Sequence, residues 1–153
     1  MHHEDSGFAF PSGRAAQSPR ALAAQRLALR ATAFLREHYR EPITIHDLAD
    51  HLSYSPSHLT RCFTAAVGVS PIRYLSSWRL HEAKHLLISE GLDVAEACYE
   101  VGYTSVGTFS RRFVRDVGLP PAALRRSAHR LAEVSLPPVS LLTPAARRVL
   151  VRV

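Results

Sequence analysis

Three sets of residues have types and spacings that could do chemistry. His81-Glu82-Ala83-Lys84-His85 fits H-E-x-x-H, which on a helix puts two imidazoles one turn apart with a carboxylate between them, as zinc hydrolases require. A catalytic zinc needs a third protein ligand and a substrate cleft. Leu86-Leu87-Ile88-Ser89 follows the pattern, and the next acids, Glu90, Asp93, Glu96 and Glu100, fall in later elements. Both histidines lie well over 100° from the apolar side of their own helix, so a solvated or phosphate-facing role is expected, with no metal, no cofactor and no catalysis. Cys62 and Cys98 allow a single pair, far from a zinc knuckle or a disulfide framework. Each sits among apolar neighbours and reads as a small buried hydrophobe. The third set is Arg61 and Arg111, which occupy like surroundings. A planar guanidinium fork suits a phosphate, or the paired O6 and N7 acceptors of guanine.

The elements that must hold these arginines form a repeat. Thr44 with Asp47 makes a capping-box-like start for a short helix through Ile45, Leu48, Ala49 and Leu52, and Ser53-Tyr54 turns the chain. Ser55 caps a longer helix with Pro56 at its first position, carrying Leu59, Phe63 and Val67 on one face until Gly68 stops it. This is a helix-turn-helix unit. The pattern returns 49 residues on before the turn, with Ile45, Leu48, Ala49 and Tyr54 matching Val94, Ala97, Cys98 and Tyr103. After the turn the offset is 50, matching Arg61, Phe63, Val67, Gly68 and Pro71 to Arg111, Phe113, Val117, Gly118 and Pro121, so the second turn holds one extra residue. Asp93 with Glu96, Gly102-Tyr103 and Ser105 repeat the start, turn and cap.

Around the units, a first helix is expected from Arg26 to about Tyr39, closed by Pro42, and an amphipathic spacer from Pro71 to about Ser89 with Ile72, Leu75, Ala83, Leu86 and Leu87 on its apolar side. Some 18 residues at ~1.5 Å each span about 27 Å, near the ~34 Å between successive major-groove turns. No strand-like alternation occurs over residues 26–130. The expected fold is all-α: two helix-turn-helix units, about 26–70 and 93–130, joined by a spacer helix at about 71–89. Residues 1–25 are expected to be a flexible leader, and 131–153 a proline-containing tail with a brief helix at most near 145–150.

Composition narrows the partners. Nineteen Lys+Arg against 13 Asp+Glu give a formal charge of +6 over 153 residues, and all but Lys84 of the basic residues are arginine. That balance favours a polyanion, nucleic acid ahead of membrane. The start lacks the basic and apolar stretches of a secretory signal, and the uncharged run 134–146 holds three prolines and is too short to span a bilayer. A cytoplasmic protein with no membrane partner is expected.

With these residues in place, the chain from about 26 to 130 resembles the DNA-binding domain of the AraC/XylS family of bacterial transcription regulators. The resemblance rests on ITIHDLADHLSYSPSHLTRCFTAAVGVSPIRYL, on RLHEAKHLL in the spacer, and on VAEACYEVGYTSVGTFSRRFVRDVGLPPAALR. Cys98, Pro120 and Leu124 depart from the small residue, Ser and aromatic usual in the family, and all three touch packing. The resemblance implies double-stranded DNA and RNA polymerase as partners. Only about 25 residues precede the region, too few for a ligand-binding domain, which suggests a short stand-alone member acting as a monomer.

If the long helix of each unit enters the major groove, the residues facing bases are Ser57, Thr60 and Arg61 in the first and Val106, Gly107, Ser110 and Arg111 in the second. His58 is expected at a phosphate or in solvent. Arg112 is the better phosphate candidate of the pair Arg112 and Arg115. Val106 offers only a methyl contact and Gly107 only backbone, so the second reader should carry less sequence information. Arg79 points to the spacer's apolar side and reads as an internal brace against an acid or a carbonyl. The competing reading is a helical module that binds a protein without reading DNA.

Overall fold

The computed structural model describes residues 18–133. They form seven helices and no strand: α1 (Pro19–Glu37), α2 (Ile45–Leu52), α3 (Pro56–Val67), α4 (Pro71–Ile88), α5 (Val94–Glu100), α6 (Val106–Val117) and α7 (Pro121–Glu133). The leader before residue 18 and the tail from 134, including the segment near 145–150, lie outside the described residues.

Local chemistry sets most boundaries. Thr44 Oγ1 accepts from the Asp47 amide while Asp47 Oδ2 accepts from the Thr44 amide, and Asp93 with Glu96 does the same at α5. These reciprocal bonds satisfy amides that have no partner inside the helix. Ser55, Ser70 and Ser105 cap α3, α4 and α6, and Gly68 and Gly118 end α3 and α6 in the left-handed conformation.

One boundary differs from the sequence reading. Helix α1 starts at Pro19, capped by Ser18, and not at Arg26. Its first two turns bury nothing fully, and Leu22 is exposed, so apolar periodicity begins only at Leu27. Serine capping, proline at the first position and an alanine-rich run extend the helix without a core.

The units have separate cores. Leu27, Leu35, Leu48, Leu52, Leu59 and Phe63 fill the first together with Tyr74 and Leu75 of α4. Ala97, Cys98, Val101, Tyr103, Phe109 and Phe113 fill the second together with Leu80, Ala83, Leu86 and Leu87. The spacer therefore serves two cores in succession, and the side used by its C-terminal half lies roughly a third of a turn around from the side used by its start. Ile72 lies at the angle of the second side but at the helix start, before the second core begins, and is exposed, a correction to the single apolar side expected for this helix, whereas Tyr74, Ser76 and Leu80 are buried.

Candidate nucleic-acid interface

The two long helices are built alike. In each, two residues one turn apart, Leu59 with Phe63 and Phe109 with Phe113, are fully buried and anchor the inner side. The residues on the opposite side are Ser57, Arg61 and Thr64 in α3, and Gly107, Arg111 and Val114 in α6, all exposed. Thr60 and Ser110 flank this face half-buried, as does Val106 at the start of α6. Thr64 and Val114 were not among the expected contacts. They sit seven positions beyond Ser57 and Gly107, a two-turn repeat that extends the outer face and that the sequence already contains.

The two arginines differ in surroundings. Among the described residues Arg61 has no hydrogen-bond or ion-pair partner. Arg111 leans toward the start of its own helix, its Nη2 donating to Thr108 Oγ1 at 3.5 Å. A Cβ built on Gly107 would stand 3.9 Å from Arg111 Nη1, so the guanidinium lies over the bare backbone there.

Arg112 lies on the inner flank. Its Nη1 donates to Ser76 Oγ of the spacer at 2.5 Å, and the residue is half-buried. Arg112, expected at a phosphate, makes this internal bond because its position on α6 lies toward α4 and away from the centre of the outer side. Arg115 is exposed and pairs with Asp116 through Nε and Oδ1 at 2.8 Å, which raises the arginine pKa and lowers that of the carboxyl.

His58 stands exposed on α3, stacked on Tyr54 with ring centroids 5.3 Å apart, its Nε2 3.5 Å from Cys62 Sγ. Cys62 is only half-buried, short of the full burial expected for both cysteines. Cys98 is fully buried, and burial pushes its thiol pKa up.

The H-E-x-x-H residues converge on nothing. His81 stacks on Trp78, and the Arg36 guanidinium lies 4.3 Å from the centroid of the same Trp78 ring. His85 Nε2 lies 3.7 Å from Glu90 Oε1. Among the described residues no three His, Cys, Asp or Glu side chains are grouped to hold a metal, and no helix is long and apolar enough to cross a membrane.

Comparison with known proteins agrees with this architecture. The family described as "Helix-turn-helix domain" matches residues 48–127. An uncharacterised HTH-type transcriptional regulator of Bacillus subtilis, YisR, is 32% identical over 130 residues, covering 85% of this chain and 42% of the relative. A putative AraC-like transcription regulator of Streptomyces lividans is 37% identical over 91 residues, 58% of this chain and 30% of that protein. The chain thus spans less than half the length of these relatives. Among solved structures, the DNA-binding domain of AdpA, a global transcriptional factor crystallised with a target DNA, superposes with a TM-score of 0.66 at 25% identity, covering 71% of this chain and 97% of the other. Two capped helix-turn-helix units in tandem on one spacer, matched over half the chain, place this protein in the AraC-type helix-turn-helix family of transcription regulators.

Proposed function

We propose that the chain is a sequence-specific double-stranded DNA-binding transcription regulator that inserts α3 and α6 into successive major-groove segments. The observation that carries this is the pair Arg61 and Arg111, exposed at the same register of two equivalently capped helices. Each can meet guanine O6 and N7. Ser57, Thr60 and Thr64 complete the first reading face; Val106, Gly107, Ser110 and Val114 complete the second, where Val114 suits a thymine methyl. His58 and Arg115 flank these faces and suit phosphates. The DNA-bound domain similar in fold supports the same partner. Binding as a monomer, a contact with RNA polymerase and residence in the cytoplasm belong to this reading.

The test is fluorescence anisotropy on a selected duplex and on a scrambled duplex of the same composition, each across a salt series. The intact chain should bind with a steep negative slope of log affinity against log salt, and the double variant Arg61→Ala, Arg111→Ala should lose sequence preference while keeping a residual salt-sensitive affinity. No sequence preference in the intact chain would favour a protein-binding module, and unchanged preference in the double variant would overturn the roles given to Arg61 and Arg111.

A further inference from the structure

The two units touch chiefly through α4, yet a polar junction ties them side to side. Arg79, midway along the spacer, donates from Nε to the Tyr39 carbonyl and from Nη2 to the Glu41 carbonyl, both at 2.7 Å. These carbonyls belong to the connection between α1 and α2 of the first unit. The same guanidinium lies over the ring of Tyr103 in the second unit's turn, 5.7 Å from its centroid. Tyr103 is 8% exposed, and its hydroxyl lies 3.4 Å from Ser76 Oγ, the atom that also accepts from Arg112. At the rim Arg40 pairs with Glu100 at 3.2 Å.

Gly102 closes the junction. Its φ is +91°, and a Cβ there would stand 2.9 Å from the carbonyl oxygens of both Tyr39 and Arg40. A side chain would therefore push the second unit's turn off the first unit's connection. Arg79 is half-buried, and a guanidinium held by two neutral carbonyls and a ring, with no carboxylate among these partners, is spent on fixing geometry.

We propose that Arg79 and Gly102 are positioning residues that set the spacing specificity of the protein: by locking the two units together they fix the separation and phase of α3 and α6, and hence the number of base pairs between the two halves of the site. One base pair moves a half-site by about 3.4 Å and about a tenth of a turn. A locked pair cannot follow that displacement, and a pair hinged only at the ends of one helix can. The inference rests on the DNA-binding reading for its consequence, but the lock itself does not.

Two experiments separate these. In a Cys62→Ser, Cys98→Ala background, spin labels at Ala65→Cys and Arg115→Cys report the distance between α3 and α6 without DNA. A narrow distribution that broadens in Arg79→Ala and in Gly102→Ala is expected. An unbroadened distribution in both folded variants, or a broad one in the parent, overturns the lock. On DNA, a selected site and derivatives with one base pair added or removed between its halves should differ at least about tenfold in affinity for the parent and less than about threefold for Arg79→Ala. Binding of Arg79→Ala to a single half-site should stay near that of the parent. Retained spacing preference in folded Arg79→Ala, or equal loss on every probe including the half-site, overturns the proposal. A narrow distance distribution with no DNA binding by the parent contradicts the functional reading and leaves spacing specificity without a substrate, overturning that part.

Should Arg79→Ala fail to fold, the double variant Arg40→Ala, Glu100→Ala removes only the exposed rim pair. It is expected to broaden the distribution less than Gly102→Ala does, and an equal or larger broadening would contradict the central place given to the buried part of the junction.

Discussion

The two helix-turn-helix units share a skeleton and differ at the turn. Tyr54 and Tyr103 occupy the same register, each amide bonded to the carbonyl five residues back, of Ala49 and Cys98 respectively. Yet Tyr54 is 40% exposed and stacks on His58, whereas Tyr103 is buried under Arg79. The residue entering the left-handed conformation is Ser53 in the first turn and Gly102 in the second. A repeat thus keeps what each copy needs to fold, its caps and apolar positions, while its turn is free to become surface or junction. The second unit turns Tyr103 and Arg112 inward, seats Gly102 against the first unit's connection, and has Gly107, Arg111 and Val114 on its outer face with Ser110 beside them. The first keeps its turn in solvent and presents Ser57, Thr60, Thr64 and an Arg61 that has no partner among the described residues.

The comparison can be broken most forcefully in the cores. Phe63→Ala and Phe113→Ala each remove a fully buried ring and should cost about 3–5 kcal/mol. Because the cores are separate, amide hydrogen exchange should rise mainly in α1–α3 for the first and in α5–α7 for the second. Uniform loss of protection in both variants would show that the units unfold as one.

The turns come next. Gly102→Ala forces both a left-handed alanine and a close approach to backbone carbonyls and should destabilise by roughly 1–3 kcal/mol, while Ser53→Gly relieves a left-handed serine and should be neutral or stabilising by up to about 1 kcal/mol. Urea unfolding of both variants checks the sign of the difference. On DNA, Arg61→Ala should cost ~1–3 kcal/mol of discrimination at one half of the site, and Arg111→Ala should weaken the other half with less loss of information. Equal losses would remove the asymmetry.

The smallest effect concerns acid. Asp47 accepts from the Thr44 hydroxyl and amide, which lowers its carboxyl pKa below the ordinary 3.8. A depressed folded-state value gives stability that is fully present above the ordinary carboxylate range and is lost as pH falls through the folded value. Asp47→Asn should therefore lower thermal stability at neutral pH and lose less on acidification below about pH 4, as thermal melts at several pH values would show.

The sequence made the units legible because their signals are local. Thr44 with Asp47, Ser55 with Pro56, Asp93 with Glu96, and the stops at Gly68 and Gly118 each act within a turn of their own position. Arg79 was legible as a brace because it sits on the apolar side of its helix, though its partners Tyr39 and Glu41 were not. What escaped depends on distant chain. The inward turn of Arg112 requires Ser76, 36 residues away. The exposure of Ile72 requires that one helix serve two cores at different angles. The early start of α1 escaped for the opposite reason, since Ser18 and Pro19 were readable but the first turns bury nothing that would create a period. At the candidate interface, the register of Arg61 and Arg111 could be read directly, whereas which arginine is free and which leans on its own helix depends on Thr108 and Gly107.

The most direct test of two unequal readers is selection of bound duplexes from a random library at near-physiological salt, run in parallel with zinc and with chelator. A bipartite site with elements about one helical turn apart, the stronger one losing its guanine preference in Arg61→Ala and neither depending on zinc, is the expected result. No enrichment, or two elements of equal information that respond alike to Arg61→Ala and Arg111→Ala, would contradict it.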